Sequence, residues 1–127
     1  MPGKKKILIV EDDQFLHKIL VMKVKAEGIE PISAYDGESA LKKVKEMPDL
    51  ILLDLILPQM SGFEFLGEIR MDSSQFKNIP VIVLSNLGQD EDIERAKSLG
   101  AQDYLIKANF SIDEVIKKAK EWLVRKK

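Results

Sequence analysis

Short apolar runs alternate with longer stretches of mixed polarity along the chain. KKILIV (5–10), EPISAY (30–35), DLILLDL (49–55), VIVLS (81–85) and DYLI (103–106) are rich in Ile, Val and Leu and are bounded by Gly28, Pro31, Pro48, Pro58 and Pro80. Such runs predict strands, and their near-continuous hydrophobicity predicts burial on both faces. Between them, residues 13–27, 37–47, 62–72, 90–99 and 111–125 carry apolar positions at helical spacing. The last stretch is clearest, with Ile112, Val115, Ile116, Ala119 and Leu123 on one face. Ser61 with Glu64 and Ser111 with Glu114 make the S-x-x-E box that caps a helix start, while Gly28 and Gly100 stand where the first and fourth helices should end.

Strands alternating with helices predict an α/β fold of (βα)5 type. Right-handed crossovers would give an open, doubly wound, five-stranded parallel sheet with helices on both faces. The chain has 127 residues and is 45% hydrophobic, enough for one globular unit with a real core. No repeat or Pro/Gly/Ser-rich linker marks an internal boundary, so 1–127 is expected to be a single domain.

Charge and cysteine content narrow the function. The 20 basic and 21 acidic residues nearly cancel, so no global field draws the chain to DNA or an anionic membrane, and direct nucleic-acid binding is not expected. The absence of cysteine excludes disulfides and thiolate metal sites and fits a cytoplasmic location. MPGKKKILIV has the basic residues of a signal peptide but an apolar run of only Ile7 to Val10, and no later run reaches membrane-spanning length.

Asp54 is the chemical anomaly, a carboxylate within the greasy run Leu50 to Leu57. A charge removed from water is costly unless paired, hydrogen-bonded or bound to a metal. Doubly wound sheets collect their chemistry beyond the carboxyl ends of the strands. Here those ends carry Glu11, Asp12 and Asp13 after strand one, Asp54 near the end of strand three, Ser85 at the end of strand four and Lys107 at the end of strand five. If strands one and three are neighbours, Glu11, Asp12 and Asp54 crowd together, and their repulsion calls for a cation. A few carboxylates with room for water and phosphate favour Mg²⁺ over a dedicated Ca²⁺ cage. Lys107 and Ser85 suit phosphoryl oxygens. A carboxylate can itself attack a phosphoryl donor, and Asp54 is the candidate, with Pro58 and Gly62 expected in an exposed loop that admits a large donor.

Glu11 and Asp12 after ILIV, Asp54 in LLDLILPQMSG, Ser85 in VIVLS, Tyr104 in DYLIK, and Lys107 together resemble the receiver domains of two-component response regulators. The resemblance covers nearly the whole chain and matches the extent of the single-domain chemotaxis regulator. It implies a flavodoxin-like strand order, 2-1-3-4-5. It implies that Asp54 is phosphorylated by a histidine kinase, a phosphotransfer protein or a small phosphodonor. Asp12 and Asp54 would ligate Mg²⁺ directly and Glu11 through water, with the backbone carbonyl of Ile56 completing the protein ligands. Ser85 would swing towards the phosphoryl group and Tyr104 would follow inward, changing the affinity of the face spanning roughly 90–125 for an unidentified output protein. Such a protein assists its own phosphorylation and dephosphorylation without being an enzyme towards an external metabolite, and is expected as a monomer or weak dimer.

Four positions depart from the family pattern. Ala108 replaces the proline that often follows the lysine in a cis bond; without proline a cis bond costs roughly 3–4 kcal/mol, so a trans bond and a repacked loop are expected. Asn86 replaces a small residue and leaves crowding or an added hydrogen bond as alternatives. Ile56 and Leu87 stand two residues after Asp54 and Ser85, where polar groups often position the hydrolytic water, and this predicts a long-lived phosphoryl state. Two other functions compete with the leading one. A receiver-like scaffold that is never phosphorylated is disfavoured because every charged site residue is present, and a haloacid-dehalogenase-type phosphohydrolase lacks its second Asp, the position being Ile56.

Each residue also has a plainer reading. Asp54 alone would be a turn or cap residue, Glu11 to Asp13 negative charge at a helix start, Lys107 a solvated lysine and Tyr104 a half-buried aromatic. His17 reads as structural or solvent-facing, Trp122 and Leu123 as anchors of the last helix, and the basic runs Lys4 to Lys6 and 125–127 as solvated termini.

Overall fold

A computed structural model describes residues 3–125. Five strands, β1 (Lys6–Val10), β2 (Glu30–Ala34), β3 (Leu50–Leu53), β4 (Val81–Ser85) and β5 (Asp103–Ile106), pair in parallel in the order β2-β1-β3-β4-β5. This is the flavodoxin-like order. Helices α1 (Gln14–Ala26), α2 (Gly37–Lys43), α3 (Gly62–Ile69), α4 (Asp90–Ser98) and α5 (Ile112–Arg125) alternate with them.

Side chains alternate across a strand, and here both faces are covered, which is why the strand sequences read as unbroken apolar runs. Leu8, Val10, Ile51, Leu53, Val81 and Val83 pack against Ala40 of α2, Phe65, Leu66 and Ile69 of α3 and Ala96 of α4. Ile7, Ile9, Leu50, Leu52, Ile82 and Leu84 pack on the other side against Leu20 and Val24 of α1 and the full expected face of α5. Leu123 is buried, and Trp122 is half-buried against this second core with its Nε1–H donating to Asp103 Oδ2 at 3.3 Å. Among the described residues no helix is long and apolar enough to cross a membrane.

Both capping boxes form, Ser61 with Glu64 and Ser111 with Glu114. Gly28 and Gly100 have φ of +77° and +106°, the left-handed conformation that ends a helix. Several boundaries differ from expectation. The third strand stops at Leu53 rather than residue 55, so Asp54 lies beyond the ladder. The second helix gives way to a 3₁₀ turn over Val44–Glu46 and ends at Met47 with φ of 56°. The third helix stops at Ile69, not 72, and the Arg70 guanidinium after it donates to the carbonyls of Phe76, Ile79 and Gly100 at 3.3, 2.6 and 3.1 Å. Lys6 is no solvated terminus: it opens β1, and its N–H donates to Asp49 Oδ2 at 2.8 Å. Lys4 and Lys5 are exposed as expected, and the side chains of 125–127 lie outside the described residues.

Candidate functional site

Parallel pairing sets Val10 of β1 opposite Ala34 of β2 and Leu53 of β3, so these strands finish at one level. The residues that follow them therefore converge. Glu11 is buried, and its N–H continues the ladder by donating to Ala34 O at 3.1 Å. Asp54 is also buried, and its N–H donates to Val10 O at 3.0 Å, fastening it beside the end of β1. Asp12 is exposed at the rim. Asp13 separates from the other two acids: it is the N-cap of α1, its Oδ1 accepting from the N–H groups of Phe15 and Leu16 at 3.0 and 3.1 Å. For Asp13 alone, the helix-start reading describes the structure.

Lys107 closes the pocket. The strand ends at Ile106, and Lys107 opens a 3₁₀ turn over Lys107–Asn109 instead of finishing β5. Because β4 lies between β5 and β3, a long side chain is needed to reach Asp54. Its Nζ is 2.8 Å from Glu11 Oε1 and 2.9 Å from Asp54 Oδ2. Asp54 Oδ1 accepts from the N–H of Ile56 at 3.2 Å, and Glu11 Oε2 from the N–H of Asp13 at 3.0 Å. Burial pushes the Glu11 carboxyl above its ordinary value, with Asp54 adding to the rise and Lys107 and the Asp13 N–H opposing it. Lys107 is desolvated, which lowers its pKa, but its bonds to Glu11 and Asp54 outweigh burial and hold the ammonium above its ordinary value.

Carboxylate oxygens of Glu11, Asp12 and Asp54 lie within 4.8 Å of one another. An all-oxygen, anionic donor set open on the Asp12 side could hold a hard divalent cation such as Mg²⁺, with places left for water and a ligand.

Ser85 is the last residue of β4, fully buried, and its Oγ accepts from the N–H of Leu87 at 3.4 Å. Tyr104 is half-buried, and its hydroxyl donates to Leu87 O at 2.5 Å. Leu87, selected from the sequence for an apolar side chain, thus joins Ser85 and Tyr104 through its backbone. A backbone contact leaves no trace in residue type. Asn86 is exposed. No peptide bond among the described residues is cis, so Lys107 and Ala108 are joined in trans as expected.

The loop after Asp54 differs in part from expectation. Ile56 and Pro58 are exposed, but Gly62 is a buried residue, the first of α3. Its N–H donates to Leu55 O at 3.0 Å, and a Cβ there would stand 2.4 Å from Asp54 O. Sequence reasoning also missed what His17 does. It is structural, not solvent-facing: buried, with Nδ1 2.8 Å from Glu11 O.

Residues 7–120 match the family model described as the response regulator receiver domain. The chain is 36% identical over 117 residues to the phosphate regulon transcriptional regulatory protein PhoB of Escherichia coli (strain K12), covering 91% of this chain and 50% of that protein. It is 38% identical over 122 residues to the alkaline phosphatase synthesis transcriptional regulatory protein PhoP of Bacillus subtilis (strain 168), covering 95% and 49%. The chain thus spans about half the length of these curated relatives. Among solved structures, the receiver domain of Francisella response regulator 1452 superposes with a TM-score of 0.86 at 32% identity, covering 98% of this chain and 100% of that one. The chemotaxis protein CheY4 of Vibrio cholerae superposes with a TM-score of 0.85 at 30% identity, covering 94% and 98%.

Proposed function

As this chain belongs to the response regulator receiver family of two-component signalling, we propose that it is a phosphoacceptor switch whose acceptor is Asp54. The observation that carries the reading is the Lys107 ammonium held between Glu11 and Asp54, with the Asp12 carboxylate at hand. An acidic cluster with one paired lysine is built to gather a divalent cation and phosphoryl oxygens at a carboxylate nucleophile.

Glu11, Asp12 and Asp54 would hold Mg²⁺ together with the Ile56 backbone carbonyl. When bound, Mg²⁺ supplies neutralisation of phosphoryl charge. An Asp54 carboxylate oxygen forms the new bond to phosphorus, and the bond from phosphorus to the donor breaks, its electron pair leaving with the donor. Lys107 donates to a phosphoryl oxygen as charge develops there. The Ile56 N–H keeps its bond to the other Asp54 oxygen and so holds the carboxylate in orientation. Ser85 and Tyr104 act as the switch pair, linked through the Leu87 backbone, and alter the face formed by α4, β5 and α5 that an output protein reads. The donor would be a histidine kinase or phosphotransfer protein in the cytoplasm, and residues 1–127 would work as one receiver unit.

The test is the intact mass of the chain after incubation with acetyl phosphate, with and without Mg²⁺, beside its Asp54→Asn variant. A metal-dependent gain of one phosphoryl group in the wild type and none in the variant is expected. No adduct under any metal condition would replace this reading with an unphosphorylated scaffold.

A further inference from the structure

His17 takes no part in the chemistry described above, yet its side chain is wholly buried. Its Nδ1 lies 2.8 Å from the backbone carbonyl oxygen of Glu11. A carbonyl only accepts, so Nδ1 carries the ring proton. The other nitrogen, Nε2, is buried without a hydrogen-bond partner among the described residues. A second proton there would create an orphaned buried donor and a buried charge, so the ring is the neutral Nδ1–H tautomer.

The ring is also held in plane. Tyr35 stacks on it with centroids 4.1 Å apart and planes 21° apart. Tyr35 directly follows Ala34, whose carbonyl accepts the Glu11 N–H. Glu11 is therefore fastened on both sides, its N–H by β2 and its C=O by His17. The carbonyl matters more for the site, because it belongs to the peptide plane shared with Asp12. Turning that plane would redirect the bond by which the Asp12 side chain leaves the backbone and would shift the Glu11 carboxylate away from Lys107.

We propose that His17 is a positioning residue: by holding the Glu11 carbonyl it fixes the Glu11–Asp12 peptide plane and aims both carboxylates, with Asp54, at one divalent cation. The inference rests on the acceptor-site reading above and adds to it a residue that touches neither metal nor phosphoryl group. A histidine that merely fills space between α1 and Tyr35 would be replaceable by another flat ring. A positioning histidine would not be, and would be replaceable in part by asparagine, whose side-chain N–H stands at the same remove from the backbone as Nδ1–H.

The experiment is a Mg²⁺ titration of the full chain followed by the backbone amide NMR signals of residues 11–13. Wild type is compared with His17→Phe and His17→Asn, and the imidazole nitrogens of the wild type are observed directly. The expected wild type shows a protonated Nδ1 and a bare Nε2. His17→Phe is expected to bind Mg²⁺ about 10-fold more weakly, the scale on which outer-sphere hydrogen bonds act at metal sites, with His17→Asn recovering most of the loss. A wild-type ring protonated at Nε2 overturns the proposal, and this observation stands even if His17→Phe fails to fold. So does a His17→Phe chain that binds Mg²⁺ as tightly as the wild type. A wild type that takes up no Mg²⁺ at all sinks the acceptor-site reading itself, a distinct result.

Discussion

The Lys107 ammonium lies 2.9 Å from Asp54 Oδ2, across 53 residues of sequence. The same nitrogen holds Glu11, so one cation balances two buried carboxylates. Removing it leaves both uncompensated. Lys107→Met is expected to lower stability by about 3 kcal/mol in metal-free buffer, the scale for breaking a buried pair from one side. Mg²⁺ should then raise the urea midpoint of the variant, because binding to the folded state alone stabilises it. A variant as stable as the wild type without metal would show that the pair is not needed to offset the burial of Glu11 and Asp54.

Gly62 and Gly67 lie on one helix and predict opposite outcomes. A Cβ at Gly62 would meet Asp54 O at 2.4 Å and Leu55 Cα at 2.6 Å, so Gly62→Ala must push the acceptor's own backbone aside. Its expected cost is about 1–3 kcal/mol, the scale of overpacking, together with slower acquisition of phosphate by mass spectrometry. At Gly67 the nearest atom to a Cβ is Leu99 Cδ2 at 3.9 Å, ordinary contact. Gly67→Ala is expected to stabilise by roughly 0.5–1 kcal/mol through helix propensity. Equal melting shifts of the same sign in both would contradict this account.

Ile56 is 57% exposed, so replacing it disturbs little packing, whereas Leu87 packs against the core. Neither side chain can orient a water. The phosphorylated chain is therefore expected to outlast the seconds timescale after donor removal. Ile56→Gln is expected to shorten its lifetime by up to about 10²-fold, the lower range for a positioning or general-base group. Unchanged decay in the variant, followed by intact mass, would remove Ile56 from the explanation.

Acid sensitivity at α5 follows from its cap. The Ser111 N–H and then its hydroxyl hold Glu114 below its ordinary value of 4.5, and the carboxylate is exposed. A depressed folded pKa means that the unfolded chain binds the proton more readily. The stabilisation is thus fully present above 4.5 and is lost as pH falls through the lower folded value. Glu114→Gln should remove that share of the acid limb while leaving the rest of the pH profile unchanged. A variant with the wild-type slope below 4.5 would count against the cap as its source.

The elements were readable because their signals are local. The face of α5 (Ile112, Val115, Ile116, Ala119 and Leu123), both capping boxes and the turn glycines each depend on residues a few positions apart, and all formed as expected. The end of the third helix was missed where contacts farther along the chain intervened. The third helix stops as Arg70 turns to carbonyls of Phe76, Ile79 and Gly100, and nothing near Arg70 in the chain announces that use.

Residue types and spacing alone determined that this is an alternating α/β chain with acids after strand one, an anomalous Asp54 near the end of strand three and a lysine at the end of strand five. Which of those groups meet was decided by the tertiary structure. Strand order places β1 beside β3 and leaves β4 for Lys107 to span, and crossovers between strands carry no local period that records it. The same holds for His17 and Gly62. A buried carbonyl needing a donor and a backbone passing too close for a Cβ are properties of packed segments, so they become visible only when the chain has folded around them.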